Sequence, residues 1–260
     1  MLTNRRIEEF LSQHRLPDKF RNLIDVHDSR LVSWAMQIHH PGEPLYVGIS
    51  GAQGTGKSTL ATFLQLALEL GTDWRVAVLS IDDFYLTKDK RKQLGERVHP
   101  LMQTQGVPGM HDMQMLAICV EQLKILDERS RLPLPRFDKA LDDRVDPDLW
   151  PVISGPIDLI VLEGWCVGSI PQSNDALLKP INLLELEEDA SGVWRHYVND
   201  QLEGSYADLF AKLDALVFLQ APNFDSVYRW RLEQEEKLAD VSQFGWRDEL
   251  RASSTLHSTL

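Results

Sequence analysis

Between residues 3 and 40 the apolar positions recur at spacings of three, four and seven: Ile7, Phe10 and Leu11, then Phe20, Leu23, Ile24, Leu31, Trp34 and Ile38. That period predicts amphipathic helices, broken near Pro17 and ended before Pro41-Gly42. The pattern then changes. Leu45-Tyr46-Val47-Gly48-Ile49 is a continuous apolar run, as are Arg75 to Leu79 after its first residue, Ile157 to Leu162 around Asp158, and Ala215 to Leu219. Runs of this length and kind predict strands buried on both faces. Thr59 to Leu70 has helical periodicity, with Leu60, Phe63, Leu64, Ala67 and Leu68 on one side and Gly71 at its end. A second helix is predicted from Asp112, as N-cap, to about Leu126. Lys88 to Gly109 is charged and has few strand signals, so an exposed excursion is expected there. Pro and Asp recur from 133 to 151, which predicts loop, and the chain turns helical again from Asp225.

Apolar strands alternating with amphipathic helices predict an α/β fold, a mainly parallel sheet flanked by helices. Residues 1–43 are then a helical extension packed on a core of residues 44–240, followed by a short tail at 241–260. At 260 residues the chain is long enough for such a core.

Composition narrows the function classes. Thirty-nine acidic residues against 27 basic ones leave a formal charge of -12, which argues against a nucleic-acid partner because that needs a cationic face. Cys119 and Cys166 are the only cysteines, and neither a disulfide framework nor a zinc spacing follows from two. No apolar stretch approaches a membrane span of about 18 residues, and the N-terminus lacks the apolar core of a secretory signal. A cytoplasmic location without a membrane partner is therefore expected.

The strongest local signal is Gly51-Ala52-Gln53-Gly54-Thr55-Gly56-Lys57-Ser58, which fits G-x-x-x-x-G-K-[ST] and continues with Thr59. It follows an apolar strand and opens a helix, the context in which backbone N–H groups cradle phosphates, the lysine reaches the β- and γ-phosphates and the serine binds Mg²⁺. A P-loop NTPase fold with ATP and Mg²⁺ as cofactors is expected. Glu163 ends the strand IDLIVLE, where an acid can hold the metal's water shell. Asp82 and Asp83 end the second strand, at the edge where open α/β sheets bind ligands. Transfer to an alcohol needs a carboxylate there to orient or accept the hydroxyl proton, and Asp82 is the better placed; Asp83 is equally well a loop acid or a helix cap. Pro135 to Arg144 packs opposite charges densely, as donors for a substrate carboxylate or hydroxyl would require, but from charge alone a solvated, salt-bridged loop is the better reading. The histidines show no ligand spacing. Trp165, directly after Glu163-Gly164, could wall a pocket.

Taken together, GISGAQGTGKSTL, LSIDDFYLT, GVPGMHD, LPRFDKALDDR, VLEGWCVG and LEEDASGVWRHYVN resemble the P-loop kinases of the phosphoribulokinase, uridine kinase and pantothenate kinase group. Within it the chain is most similar to the D-glycerate 3-kinase family, over roughly residues 44 to 239. The resemblance implies Asp82 as catalytic base beside Lys57, and metal coordination by Ser58, Glu163 and Asp82. It implies acceptor contacts from the 82–85 stretch with Tyr85, from the 106–112 loop with His111, from Asp138, Lys139 and Arg144, and from Trp165. Arg229 and Arg231 fall near a lid helix whose arginines close over the transferred phosphate. Relatives continue past this helix with a further helical segment and a closing strand, whereas here DVSQFGWRDELRASSTLHSTL follows, so a truncated or diverged tail is expected.

The leading expectation is an ATP-dependent small-molecule kinase (a glycerate kinase-like phosphotransferase with an alcohol group as acceptor), with D-glycerate first. Pantothenate or a nucleoside is the alternative acceptor. A nucleotide-binding regulator without turnover is the alternative class, and a nucleic-acid-dependent ATPase is third.

Overall fold

The computed structural model describes residues 3–14, 16–24, 29–223 and 225–230. The chain divides into two compact units, one of Met1–Ser50 and Lys57–Phe218, the other of Gly51–Gly56 and Leu219–Leu260.

In the first unit the expected N-terminal helices are α1 (Asn4–Gln13), α2 (Lys19–Leu23) and α3 (Ser29–Ile38), the last ending ahead of Pro41. Strand β1 (Leu45–Gly51) leads through the glycine loop to α4 (Lys57–Gly71), and β2 (Val76–Ser80) follows. Ile7, Phe10, Leu11 and Ile24 pack with Phe63 and Ala67 of α4, so the N-terminal helices are seated on the outer side of that helix.

Ser80 runs into a single 3-10 turn, Ile81–Phe84. The next stretch departs from the expected exposed excursion. It forms α5 (Lys88–Arg97), capped by the Thr87 hydroxyl, and a 3-10 turn at Pro100–Gln103. Arg91, Leu94 and Met102 are buried there, in a small core with Tyr85, Met110 and Phe137. The reason is local chemistry. An arginine with an aromatic ring beneath its guanidinium and a carboxylate partner can take a buried position that its polarity would otherwise forbid.

Helix α6 (Met113–Lys124) starts where Asp112 caps it, Oδ1 accepting from the Met115 N–H at 3.1 Å. Short strands fill the predicted loop: β3 (Arg131–Pro133) pairs antiparallel with β6 (Val152–Ser154), and β4 (Phe137–Asp138) with β5 (Asp143–Arg144). Strand β7 (Leu159–Gly164) is buried at every position. Beyond it come α7 (Leu183–Glu188), α8 (Val193–Gln201), α9 (Ala207–Phe210) and the strand β8 (Ala215–Leu219).

The main sheet has the order β2-β7-β1-β8, with β7 parallel to both β1 and β2. Tyr46, Ala77, Leu79, Ile160 and Leu162 face a core completed by Leu116, Val120 and Leu123 of α6 and by Tyr206 and Leu209. Alternate residues face the opposite side, where α4 packs on β2 and β7. The sheet is thus mainly parallel and flanked by helices on both faces. Register fixes what meets at its carboxyl end: Glu163 lies opposite Ile49 on one side and Ser80 on the other.

Candidate active site

Four predicted residues meet at the carboxyl end of this sheet within the first unit. Ser58, in the first turn of α4, donates to Glu163 Oε1 at 3.0 Å. The Ser80 hydroxyl also bonds Glu163, and the Lys57 ammonium adds its charge. Glu163 is 6% exposed, and burial raises its pKa despite these partners. Burial lowers the Lys57 pKa, against the pull of Glu163 and Asp82. Both groups are therefore charges kept in a poor solvent, which is the condition in which a bound anion or cation gains most.

Asp82 sits in the 3-10 turn just past β2. Lys139 Nζ donates to Asp82 Oδ2 at 2.7 Å, Oδ1 is buried and has no well-formed hydrogen bond among the described residues, and the Tyr85 hydroxyl is within hydrogen-bonding reach of the carboxylate. Burial lifts the Tyr85 hydroxyl well above the usual tyrosine range, helped by the Asp82 carboxylate beside it. Asp83 is turned away to a structural task. Arg136 Nη1 donates to its Oδ2 at 2.9 Å and the Phe137 N–H to its Oδ1 at 3.1 Å, tying the loop to the sheet edge.

The dense charges of 136–144 form the salt-bridged, partly exposed loop that charge alone predicts, and its bridges reach the sheet edge. Lys139 holds Asp82 and Arg136 holds Asp83. Arg144 donates to the Tyr85 carbonyl at 2.9 Å and lies 3.5 Å from Asp112. Asp138 accepts from the Ala140 and Leu141 N–H groups, shaping the turn of the hairpin. His111 stacks on Tyr85 with ring centroids 4.4 Å apart, and the Trp165 indole N–H donates to the Gly106 carbonyl at 2.8 Å, bracing the 106–112 loop. Cys166, behind this site, is a buried thiol pushed up to about 12 by burial, hence inert.

In the second unit Gly54 and Gly56 have φ of +77° and +91°, left-handed values that favour glycine. Thr55 bonds the Ala52 carbonyl through its hydroxyl at 2.8 Å, closing the turn that also holds Gln53. A Cβ on Gly54 would come within 2.5 Å of the Trp230 Cβ, so this position has no room for a side chain. Arg229 lies on the helical stretch 225–230, its guanidinium 3.4 Å from Ser226 Oγ. Arg231 and the 241–260 tail fall outside the described residues.

The donor set fits magnesium. Ser58, Glu163 and Asp82 offer hard oxygens, one of them a buried carboxylate oxygen without a well-formed hydrogen bond, and no cluster of three or more acidic, histidine or cysteine side chains that could cage a metal occurs among the described residues. Mg²⁺ is usually held by one or two carboxylates and completed by phosphates and water, so a sparse set suits it.

Sequence reasoning missed Arg91, Arg136, Ser80 and Tyr206. Arg136 stood in the quoted PRFD string and Ser80 directly before Ile81-Asp82, so each had a positional signal. Arg91 read as one more charge on an exposed segment. Tyr206 carried no signal, since only the folded chain brings it to His111.

No family model matches the chain. It is 32% identical over 213 residues to the chloroplastic D-glycerate 3-kinase of Arabidopsis thaliana, covering 79% of this chain and 44% of that protein, so it spans less than half the plant enzyme's length. An uncharacterized kinase of Schizosaccharomyces pombe is 35% identical over 217 residues, covering 80% of this chain and 76% of its own length. Among solved structures, a D-glycerate 3-kinase from Cryptococcus neoformans superposes with a TM-score of 0.70 at 28% identity, over 84% of this chain and 81% of that one. A parallel sheet with these acids at its carboxyl end, a phosphate-loop signature and this kinship together mean that the chain belongs to the family of P-loop kinases that includes the D-glycerate 3-kinases.

Proposed function

We propose that this chain transfers the γ-phosphoryl group of ATP to a hydroxyl of a small hydroxy acid, D-glycerate first. The supporting observation is the state of Asp82. One carboxylate oxygen is paired with Lys139, the other is buried without a well-formed hydrogen bond among the described residues, and the Lys57 ammonium and the Ser58–Glu163 pair are at the same sheet edge.

In this reading the acceptor hydroxyl donates to Asp82 Oδ1, which orients its oxygen toward phosphorus and takes its proton as the new P–O bond forms. The bond from phosphorus to the β–γ bridging oxygen breaks, and ADP leaves. Lys57 meets the charge spread over the transferring group, the main work of a phosphoryl-transfer site. Ser58 and Glu163, with Asp82, would hold Mg²⁺, which neutralises phosphate charge when bound. Lys139 and Arg144 supply cations for an acceptor carboxylate. The 51–56 loop keeps the phosphate-cradling role its pattern implies, and Arg229 and Arg231 the role of closing over the phosphate. A reducing compartment, the cytoplasm, suits the two unpaired buried thiols.

Asp82→Asn tests the reading. Acceptor-dependent ADP release from Mg·ATP should fall by about 100-fold or more with D-glycerate, while binding of ATP without magnesium is retained. Normal turnover by this variant would sink the role of Asp82. A panel of hydroxy acids, pantothenate and nucleosides, with Lys57→Ala as the inactive control, identifies the acceptor.

A further inference from the structure

Tyr206 is fully buried at the end of a wide helical turn, Leu202–Tyr206, which Gly204 breaks with φ -92° and ψ -116°. Turns of this kind occur often at functional sites. The Tyr206 hydroxyl oxygen accepts from the Gly109 N–H at 2.9 Å and lies 2.6 Å from His111 Nδ1. The Gly109 N–H is the donor seen on this oxygen, and the His111 backbone N–H also favours negative charge there. Burial raises the pKa of the phenol, so it keeps its proton. With one lone pair taken by the Gly109 amide and the His111 amide acting on the same oxygen, the arrangement favours the phenol as donor and His111 Nδ1 as acceptor.

The consequence falls on the other ring nitrogen. Burial holds the His111 pKa down at about 4, so the ring is neutral near neutral pH. A neutral imidazole that accepts at Nδ1 carries its proton on Nε2. His111 Nε2 is buried and has no hydrogen-bond partner among the described residues, a costly state for a donor unless something arrives to receive the bond. The imidazole stacks on Tyr85 with an interplanar angle of 21°, and the Asp82 charge acts on both rings. His111 Nε2–H, with no partner among the described residues, and the Asp82 carboxylate, whose Oδ1 has no well-formed hydrogen bond there, therefore lie on either side of Tyr85.

We propose that Tyr206 is a positioning residue that locks His111 in its Nε2–H tautomer, and that this N–H donates to a second oxygen of the acceptor while the reacting hydroxyl meets Asp82. The inference rests on the kinase reading and deepens it. It specifies the acceptor as a compound with an oxygen acceptor, hydroxyl or carboxylate, close to the hydroxyl that is phosphorylated. A simple alcohol leaves the buried N–H unpaired and is rejected for that reason.

The tautomer is read directly, without turnover, from the nitrogen NMR signals of His111 in the whole chain. A bare Nδ1 and a protonated Nε2 are expected, and a proton on Nδ1 overturns the proposal while leaving the kinase reading intact. Kinetics supply the second arm. His111→Leu should raise the acceptor KM by about 10-fold or more with the ATP KM unchanged, and His111→Gln, whose amide N–H can stand in for Nε2–H, should recover most of that loss. Tyr206→Phe keeps the volume and removes the O–H. Its His111 signal should show a mixture of tautomers and its acceptor KM should rise about threefold, whereas a mere packing role leaves the tautomer unmoved. An acceptor KM unchanged in His111→Leu overturns the contact. A wild-type protein that phosphorylates no hydroxyl compound overturns the kinase reading instead. In that event, the inference stands or falls on whether D-glycerate alone shifts the Nε2 signal.

Discussion

Glu163 ends β7 with the Ser58 and Ser80 hydroxyls and the Lys57 charge around it, and burial still holds its pKa above the usual carboxylate range. The sign of the resulting pH effect follows. A carboxyl whose folded pKa is raised favours the protonated folded state, so its contribution to stability is full below the unfolded value and is lost as pH rises through the folded one. Glu163→Gln removes the charge and keeps the shape. The free variant should therefore have a flatter fall in urea midpoint between acid and neutral pH, and be the more stable protein at pH 7. Its phosphotransfer should drop by about 100-fold. Parallel pH slopes for the two proteins would contradict the assignment of a buried, uncompensated charge. A side chain retained at a cost to the free protein is what a metal-binding role predicts. This much was legible beforehand, because an acid ending an apolar strand has few structural reasons to be there.

At the scale of elements, α4 and α6 and the strands were legible, while α5 was not. The strands are continuous apolar runs and α6 announces itself by Asp112, whereas α5 reads KDKRKQLGER with a single large apolar residue, Leu94. Its docking depends on Arg91, 0% exposed, whose Nη2 donates at 2.7 Å to the Asp142 carboxylate and at 2.8 Å to the Asp142 carbonyl, with the guanidinium 5.4 Å from the Phe137 ring centre. No periodicity can report a helix whose buried face is an arginine. The two partners are unequal, since the Asp142 side chain is 39% exposed. Removing Asp142 leaves a charge buried without its partner, while removing Arg91 leaves a carboxylate that water can solvate. Asp142→Ala should cost about 2 kcal/mol, and Arg91→Met, which keeps the apolar stem, should cost less than about 1 kcal/mol. Urea denaturation of the two variants gives the comparison. Equal losses would mean that the pair acts through packing rather than charge. The β4–β5 hairpin that this contact secures was equally hidden, because two-residue strands carry no period at all.

For the whole molecule, the candidate site is a product of register. The parallel ladder sets Glu163 level with Ser80, and the chain then needs only a single 3-10 turn to bring Asp82 past the same edge. The sequence showed that each acid ends a strand, but not that the hairpin lysine would reach Asp82, which depends on contacts 57 residues apart. What this arrangement lacks is balance. The chain has a formal charge of -12, and Glu163 and Asp82 add negative charge at the sheet edge, against Lys57 and Lys139. A bare triphosphate meets repulsion both from the field of the whole protein and from these acids. With magnesium the same ligand brings its own counter-charge, and the acids turn from opponents into ligands. Mg·ATP at about 100 times its Kd should add about 2.7 kcal/mol to the stability of the intact chain, a rise of roughly 5–10 °C in the thermal midpoint. ATP with EDTA should give a clearly smaller rise at equal concentration, and one that grows as added salt screens the repulsion. Lys57→Ala should lose most of the shift in both conditions. Glu163→Gln separates the causes, since it weakens the Mg·ATP shift and strengthens the shift with ATP and EDTA. Equal shifts with and without magnesium would mean that these carboxylates do not face the phosphates, and the roles given to Ser58, Asp82 and Glu163 would fall together.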